Sequence, residues 1–286
     1  MQSSKFPAVV LGLVVMILFF GISCKPKKFV YKSPPHYNFS KGLEDKLDLK
    51  VLEISGVVWD THNNRFIAHN DEKPVIYFLD RDTKAVIDEF KFGVDKGDYE
   101  DIAMVNTDVY VLRSDGMLYR IVTDSTGKQN AFDLGKIGLS DKVDFETLYY
   151  DPEKKALIMI CKNCGSDTKK TVSAYAYYPD SIGFDTKPIY TIDAVKVEQL
   201  SPRNTSKFQP SAARIHPVLK KLFIISSASN QLVIADTAGN VESVFMLAKK
   251  LFPQPEGLTF KSNGDMYISN EGINSKGTLL KFPFIP

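Results

Sequence analysis

Beyond residue 30 the apolar residues of this chain fall in short runs, separated by clusters of Asn, Asp, Gly, Pro and Lys, and the runs recur in a fixed order. Five times a run opens on a Ser or Glu: Ile54-Ser55-Gly56-Val57-Val58-Trp59, Tyr99-Glu100-Asp101-Ile102-Ala103-Met104, Phe145-Glu146-Thr147-Leu148-Tyr149-Tyr150, Pro210-Ser211-Ala212-Ala213-Arg214-Ile215 and Pro255-Glu256-Gly257-Leu258-Thr259-Phe260. The spacings from Ser55 onward are 45, 46, 65 and 45 residues. A period near ~45 belongs to propeller blades or helical-pair solenoids. Each opening run is followed, across a turn such as His62-Asn63-Asn64 or Ser262-Asn263-Gly264-Asp265, by a second run such as Phe66-Ile67-Ala68 or Met266-Tyr267-Ile268. That is hairpin chemistry. A third run follows, and most units add a fourth, for example at 85–92 and 241–247. No helical stripe of ten or more residues occurs beyond residue 30, which excludes the solenoid. The prediction is an all-β chain forming a single β-propeller of five four-stranded blades, the 65-residue spacing leaving room for a degenerate sixth.

The fifth unit ends too soon for a fourth strand, so another segment must cover its edge. His36-Tyr37-Asn38-Phe39-Ser40 is the expected closing strand, the alternative being a plain linker. The long third spacing is carried by a polar insertion at 195–209, expected as a surface loop. The domain plan is a signal at 1–23, a tether at 24–35 and a propeller at 36–286.

The N-terminus adds a location. One positive charge within residues 1–5 precedes an almost wholly apolar stretch at 6–22, which ends in Gly21-Ile22-Ser23-Cys24. This resembles a bacterial lipoprotein signal, cut before the Cys, with Cys24 carrying the lipid. A cleaved secretory peptide or an uncleaved single anchor shares the same apolar run. The expected partner is therefore a membrane, reached through a lipid anchor, in the cell envelope; which membrane stays open.

With 44% hydrophobic residues in 286 the chain can bury a substantial core, and a net charge of +2 with mixed signs leaves no basic stripe for nucleic acid. No phosphate loop, HExxH or GxSxG pattern occurs. Cys161-Lys162-Asn163-Cys164 fits a local disulfide, free thiols, a redox pair or half a zinc site. Of the four histidines, His62 and His216 read as solvated turn residues, whereas His69, beside Asn70-Asp71, is the one that would face a site.

The openings Ile54-Ser55-Gly56, Phe145-Glu146-Thr147-Leu148-Tyr149-Tyr150-Asp151-Pro152 and Gln254-Pro255-Glu256-Gly257-Leu258, with Asn70-Asp71-Glu72-Lys73-Pro74 and Tyr267-Ile268-Ser269-Asn270-Glu271, resemble the repeated motifs of the SdiA-regulated family. The likeness runs from about Leu49 to Phe282 and rests on many modest motifs in order. It implies a β-propeller in the cell envelope, with calcium as a candidate bound ion and no established biochemical role. The second and third units depart from the pattern at Arg113-Ser114-Asp115 and Cys161-Lys162-Asn163-Cys164.

The residues point to a site independently. Inner strands line a propeller's channel, so Ser55, Glu100, Glu146, Ser211 and Glu256 would form one ring. Asp71, Asp115, Lys162, Ser227 and Glu271, 15 or 16 residues later, would form a second. Crowded carboxylates raise one another's pKa unless a cation offsets them, and calcium accepts six to eight oxygens. Glu100, Glu146 and Glu256 are the candidate metal ligands; Ser55, Asp71, Lys162, Ser211 and Glu271 are candidates for ligand binding, with Lys162 able to pair with Glu146. The competing reading is structural, with these glutamates accepting backbone hydrogen bonds from the next blade. Three functions follow: a ligand- or partner-binding envelope protein, a calcium-dependent hydrolase of the lactonase or phosphoesterase kind, or a structural protein with an inert channel.

Overall fold

In each inner hairpin one residue takes the left-handed backbone conformation: Asn64, Asn106, Lys155, Lys220 and Gly264, with φ of 53°, 56°, 51°, 56° and 91°. Such residues let a tight turn follow the twist of its two strands. The computed structural model describes residues 29–286 apart from 94–95, 182, 206 and 273–275. The signal at 1–23 and Cys24 lie outside the described residues. Among the described residues no helix is long and apolar enough to cross a membrane.

The strands form five antiparallel sheets. Blade one comprises Ile54–Asp60, Arg65–Asn70, Val75–Leu79 and Val86–Lys91. Blade two comprises Tyr99–Val105, Asp108–Arg113, Met117–Thr123 and Gln129–Lys136. Blade three is Phe145–Asp151, Ala156–Cys161 and Thr171–Tyr178, its outer edge split between Gly183–Phe184 and Tyr190–Asp193. Blade four is Ala212–Ile215, Leu222–Ser226, Gln231–Ala235 and Val241–Met246. Blade five is Pro255–Phe260, Met266–Asn270 and Thr278–Phe282, completed by Leu43–Lys46. Inner strands neighbour one another in a closed cycle, blade five meeting blade one, so the described residues form five blades and no sixth. The core lies between blades, as apolar layers such as the Val58, Ile67, Phe78, Tyr99, Val111 and Tyr119 cluster.

Three expectations are corrected here. The closing strand is Leu43–Lys46, which pairs antiparallel with the last strand from Leu43 opposite Lys281 to Lys46 opposite Thr278. His36 to Ser40 instead dock as an aromatic plug. Phe39 packs on Phe252 and Phe282, and a short 3-10 turn, Phe39–Lys41, follows the Asn38 cap. The closing strand is largely exposed and carries Glu44, Asp45 and Lys46; an edge that needs charge to resist pairing with another chain has no apolar alternation to betray it. His216 is not solvated. Its Nδ1 accepts from the Val218 and Leu219 N–H groups at 3.1 and 3.0 Å, and its Nε2–H donates to Tyr37, whose hydroxyl donates to the Gly264 carbonyl at 2.6 Å. Part of the insertion at 195–209 is the helix Ala194–Leu200, whose Asp193 cap accepts from Val195 and Lys196 N–H.

One ion pair sits on the axis. Asp101, fully buried on the inner strand of blade two, takes both terminal nitrogens of Arg214 from blade four, at 3.0 and 3.1 Å. The same guanidinium donates to the carbonyls of Leu148, Ala213 and Ile102 and, at 3.4 Å, of Val57. Asp101 also accepts from the Leu148 N–H at 2.8 Å. Blades one to four therefore meet at one side chain. Close approach leaves no room for a Cβ at residue 56, where it would stand 2.8 Å from the Asp101 carboxylate, which explains Gly56. Because removing one partner of a buried pair strands the other's charge, Arg214→Met is expected to cost about 3–5 kcal/mol. Thermal melts check this: the double variant Asp101→Leu/Arg214→Met should recover most of the loss, and a single variant that melts like wild type would show that the pair does not hold the blades.

Candidate functional site

The repeat's opening Ser or Glu owes its position to a defect in the ladder. In blades one, two, three and five the register slips at the start of the inner strand, between Ile54 and Val57, Tyr99 and Asp101, Phe145 and Thr147, and Pro255 and Gly257. A β-bulge leaves its extra residue unpaired and re-aims the side chain. The displaced residues are Ser55 with Gly56, Glu100, Glu146 and Glu256. Ser55, Glu100, Glu146 and Glu256 line a cavity of about 340 Å³ at the channel mouth, together with Glu53, Asp71, Asp98, Asp144, Lys162, Gln254 and Glu271. Among the described residues, eight carboxylates thus face one lysine. Lys162 pairs with Glu146.

Not every predicted member is there. Ser211 does not line the cavity; it is buried and donates to the Pro255 carbonyl at 3.1 Å, stitching blade four to blade five. Ser55 does both, lining the mouth while donating to the Glu100 carbonyl at 2.6 Å. Asp115 is held by the Nε and one terminal nitrogen of Arg113, each at 2.8 Å, and by Lys136, which keeps it away from the mouth and its carboxyl below the usual range. Ser227 bonds Glu256 without lining the cavity. His69 faces no site: it is fully buried, its Nδ1–H donating to the Asn70 carbonyl at 2.9 Å and its Nε2 accepting from Gly56 N–H at 3.1 Å. Burial pushes that imidazole down to about 4. Cys161 and Cys164 form a disulfide, so their proximity to Asp167 offers no thiolate to a metal.

Sequence reasoning missed Glu53, Asp98, Asp144 and Gln254. The signal was present: each lies two residues before the bulged position of its own blade, so the pattern is acid or amide, one spacer, then Ser or Glu.

Burial dominates the electrostatics. It pushes the Glu100 carboxyl up to about 9, with Asp98 adding and Lys162 opposing, and that of Glu256 up to about 7, with Glu271 adding and the Ser227 hydrogen bond opposing. Asp71 and Glu271 are raised by burial too, Glu271 further by Asp71. The lining donors are carboxylate, amide and hydroxyl oxygens; among the described residues around the cavity there is neither His nor Cys. By donor type the set suits a hard cation of calcium's kind rather than zinc, but no three of these carboxylates bring oxygen atoms within 4.8 Å of one another, so a single ion would have to draw them together.

A sequence model of the SdiA-regulated family matches residues 36–274, from the docking segment into blade five. The chain belongs to the SdiA-regulated family. No curated protein matches this SdiA-regulated chain significantly. Among solved structures, glutaminyl cyclase from Myxococcus xanthus superposes with a TM-score of 0.58 at 11% identity, covering 85% of this chain and 94% of that one. A chain of a nidogen/laminin complex gives 0.51 at 13% identity, covering 81% and 76%. A protein of unknown function from Bacteroides thetaiotaomicron gives 0.53 at 16% identity, covering 79% and 55%. At these identities the likeness is one of fold alone.

Folded Glu100 and Glu256 hold protons that an unfolded chain releases near its ordinary value of 4.5. Their contribution is therefore full below that value and is lost as pH rises through about 7 and about 9. In chelator-treated protein the melting temperature should fall across that window, and Glu100→Gln should flatten the upper part of the fall; a melting temperature that climbs toward alkaline pH would contradict the crowded mouth.

Proposed function

We propose that this SdiA-regulated protein is a cell-envelope lipoprotein whose acidic channel mouth holds calcium and, with it, a small ligand or a partner's polar group. The observation that carries the reading is the convergence of eight carboxylates on one cavity of about 340 Å³ with a single lysine among them. Oxygen donors in that number suit calcium's six to eight ligands. Glu100, Glu146 and Glu256, displaced from the ladder by their bulges, would hold the ion, with Asp71 and Glu271 beside them. A bound ion would offset their repulsion and polarise an oxygen brought to it. Lys162, felt by both Glu100 and Glu256 and paired with Glu146, would orient an anionic group. Ser55 contributes a hydroxyl to the wall.

A second reading, a calcium-dependent hydrolase of the lactonase or phosphoesterase kind, draws support from one feature. Burial places Glu256 at about 7, where a carboxylate serves as a general base. The M. xanthus glutaminyl cyclase shows that an enzyme shares this fold, which transfers no activity.

For the envelope placement two observations agree. The apolar stretch at 6–22 ends at Cys24 and is followed by the basic Lys25-Pro26-Lys27-Lys28, and the Cys161–Cys164 disulfide belongs in an oxidising compartment.

At a calcium concentration about 100-fold above its Kd, binding to the folded state alone adds about 2.7 kcal/mol. For a chain of this size that is a melting shift of roughly 5–10 °C. The shift should vanish in Glu146→Gln/Glu256→Gln, and its absence in wild type would end the calcium reading. Turnover of an ester, lactone or phosphoester that disappears in Glu256→Gln would replace binding by hydrolysis. Fractionation of cells expressing Cys24→Ser should move the protein from the membrane to the soluble fraction; unchanged membrane association would favour an uncleaved anchor.

A further inference from the structure

The channel has a second mouth of opposite chemistry. Four residues along each inner strand from the acidic ring, roughly 13 Å further at ~3.3 Å per residue, the five blades contribute Trp59, Met104, Tyr150, Ile215 and Phe260. Every one is apolar or aromatic, and every one is only half-buried. All five line one cavity of about 540 Å³. Single exposed apolar residues need no explanation, but five at the equivalent position of five blades, around one opening, form a continuous apolar wall. Arg214 also lines this cavity, and while its terminal nitrogens are committed to Asp101 and to carbonyls, its Nε–H is buried with no acceptor among the described residues. A buried donor left without an acceptor costs free energy that a partner would recover.

We propose that this far mouth is a second binding site, independent of the acidic one, for a small aromatic compound carrying an oxygen acceptor. Its rings pack among Trp59, Met104, Tyr150, Ile215 and Phe260, and its oxygen approaches the Arg214 end of the cavity. The volume and a lining that joins this apolar wall to a few polar side chains, Arg214, Asp151 and Thr259 among them, match those of small-molecule sites. No described residue lines both cavities, and the Asp101–Arg214 pair ties the inner strands together along the channel, so occupancy of one mouth does not require the other.

Trp59 is the only tryptophan of the chain, so its fluorescence reports this mouth alone. The test titrates full-length protein with anilinonaphthalene sulfonate, an aromatic probe with an oxygen-rich anionic group, and follows quenching of Trp59. Saturable quenching at one probe per chain is expected. Met104→Glu and Ile215→Ser should each weaken it by about tenfold or more, as loss of one apolar contact of ~1.4 kcal/mol requires. Near-ultraviolet circular dichroism confirms that a variant is folded, and Ile215→Ser decides if Met104→Glu is not. Glu256→Gln should leave the affinity unchanged. Phenylnaphthylamine, which lacks the sulfonate, should bind about tenfold more weakly. The proposal is overturned by quenching that does not saturate, by wild-type affinity in folded Ile215→Ser, or by loss of quenching in Glu256→Gln. Equal affinity for the two probes would overturn the role of Arg214.

Discussion

A buried ion pair on the axis organises this propeller. Asp101 and Arg214 come from blades that are not adjacent, and their hydrogen bonds reach the inner strands of four of the five. Burial pushes the Asp101 carboxyl up, and the guanidinium and backbone N–H groups oppose that shift. Two charges taken out of water need close partners to be tolerated, so the inner strands are held at the separations that bring carboxylate and carbonyls to both terminal nitrogens of Arg214. The bulges, the glycine at residue 56 and both mouths are arranged around that spacing.

From this pin the two ends of the channel acquire different chemistry by a simple device. Above it, bulges throw Glu100, Glu146 and Glu256 out of the ladder and into a shared cavity, where burial disfavours their charge. Below it, regular pairing continues and the corresponding positions are large and apolar. A β-bulge is therefore a means of choosing which inner-strand residue meets the solvent of the channel. The serines at equivalent positions serve differently: Ser211 bonds the next blade and is lost to the mouth, and Ser55 does both.

Lys162 gives the acidic mouth its polarity. It neutralises Glu146 directly and lowers the cost of charge on Glu100 and Glu256, yet seven further carboxylates remain around the cavity. The adjoining Cys161–Cys164 disulfide closes the loop that carries it, fixing the stem from which the ammonium reaches inward. Asp115, at the matching position of blade two, shows the alternative: with Arg113 and Lys136 near it, a carboxylate turns to its own blade.

The repeat period, the hairpins and the acidic openings were legible in the linear order of residues, because each is set by local alternation and turn chemistry within a single unit. That suffices for a propeller of five blades and for the convergence of its equivalent positions. Pairings between distant segments were not legible: Asp101 with Arg214, Leu43–Lys46 along the last strand, Tyr37 with His216, and the diversion of Ser211 and Asp115. These depend on which polar group finds a partner when blades pack, and that choice is made by distances across the closed ring that no local pattern encodes.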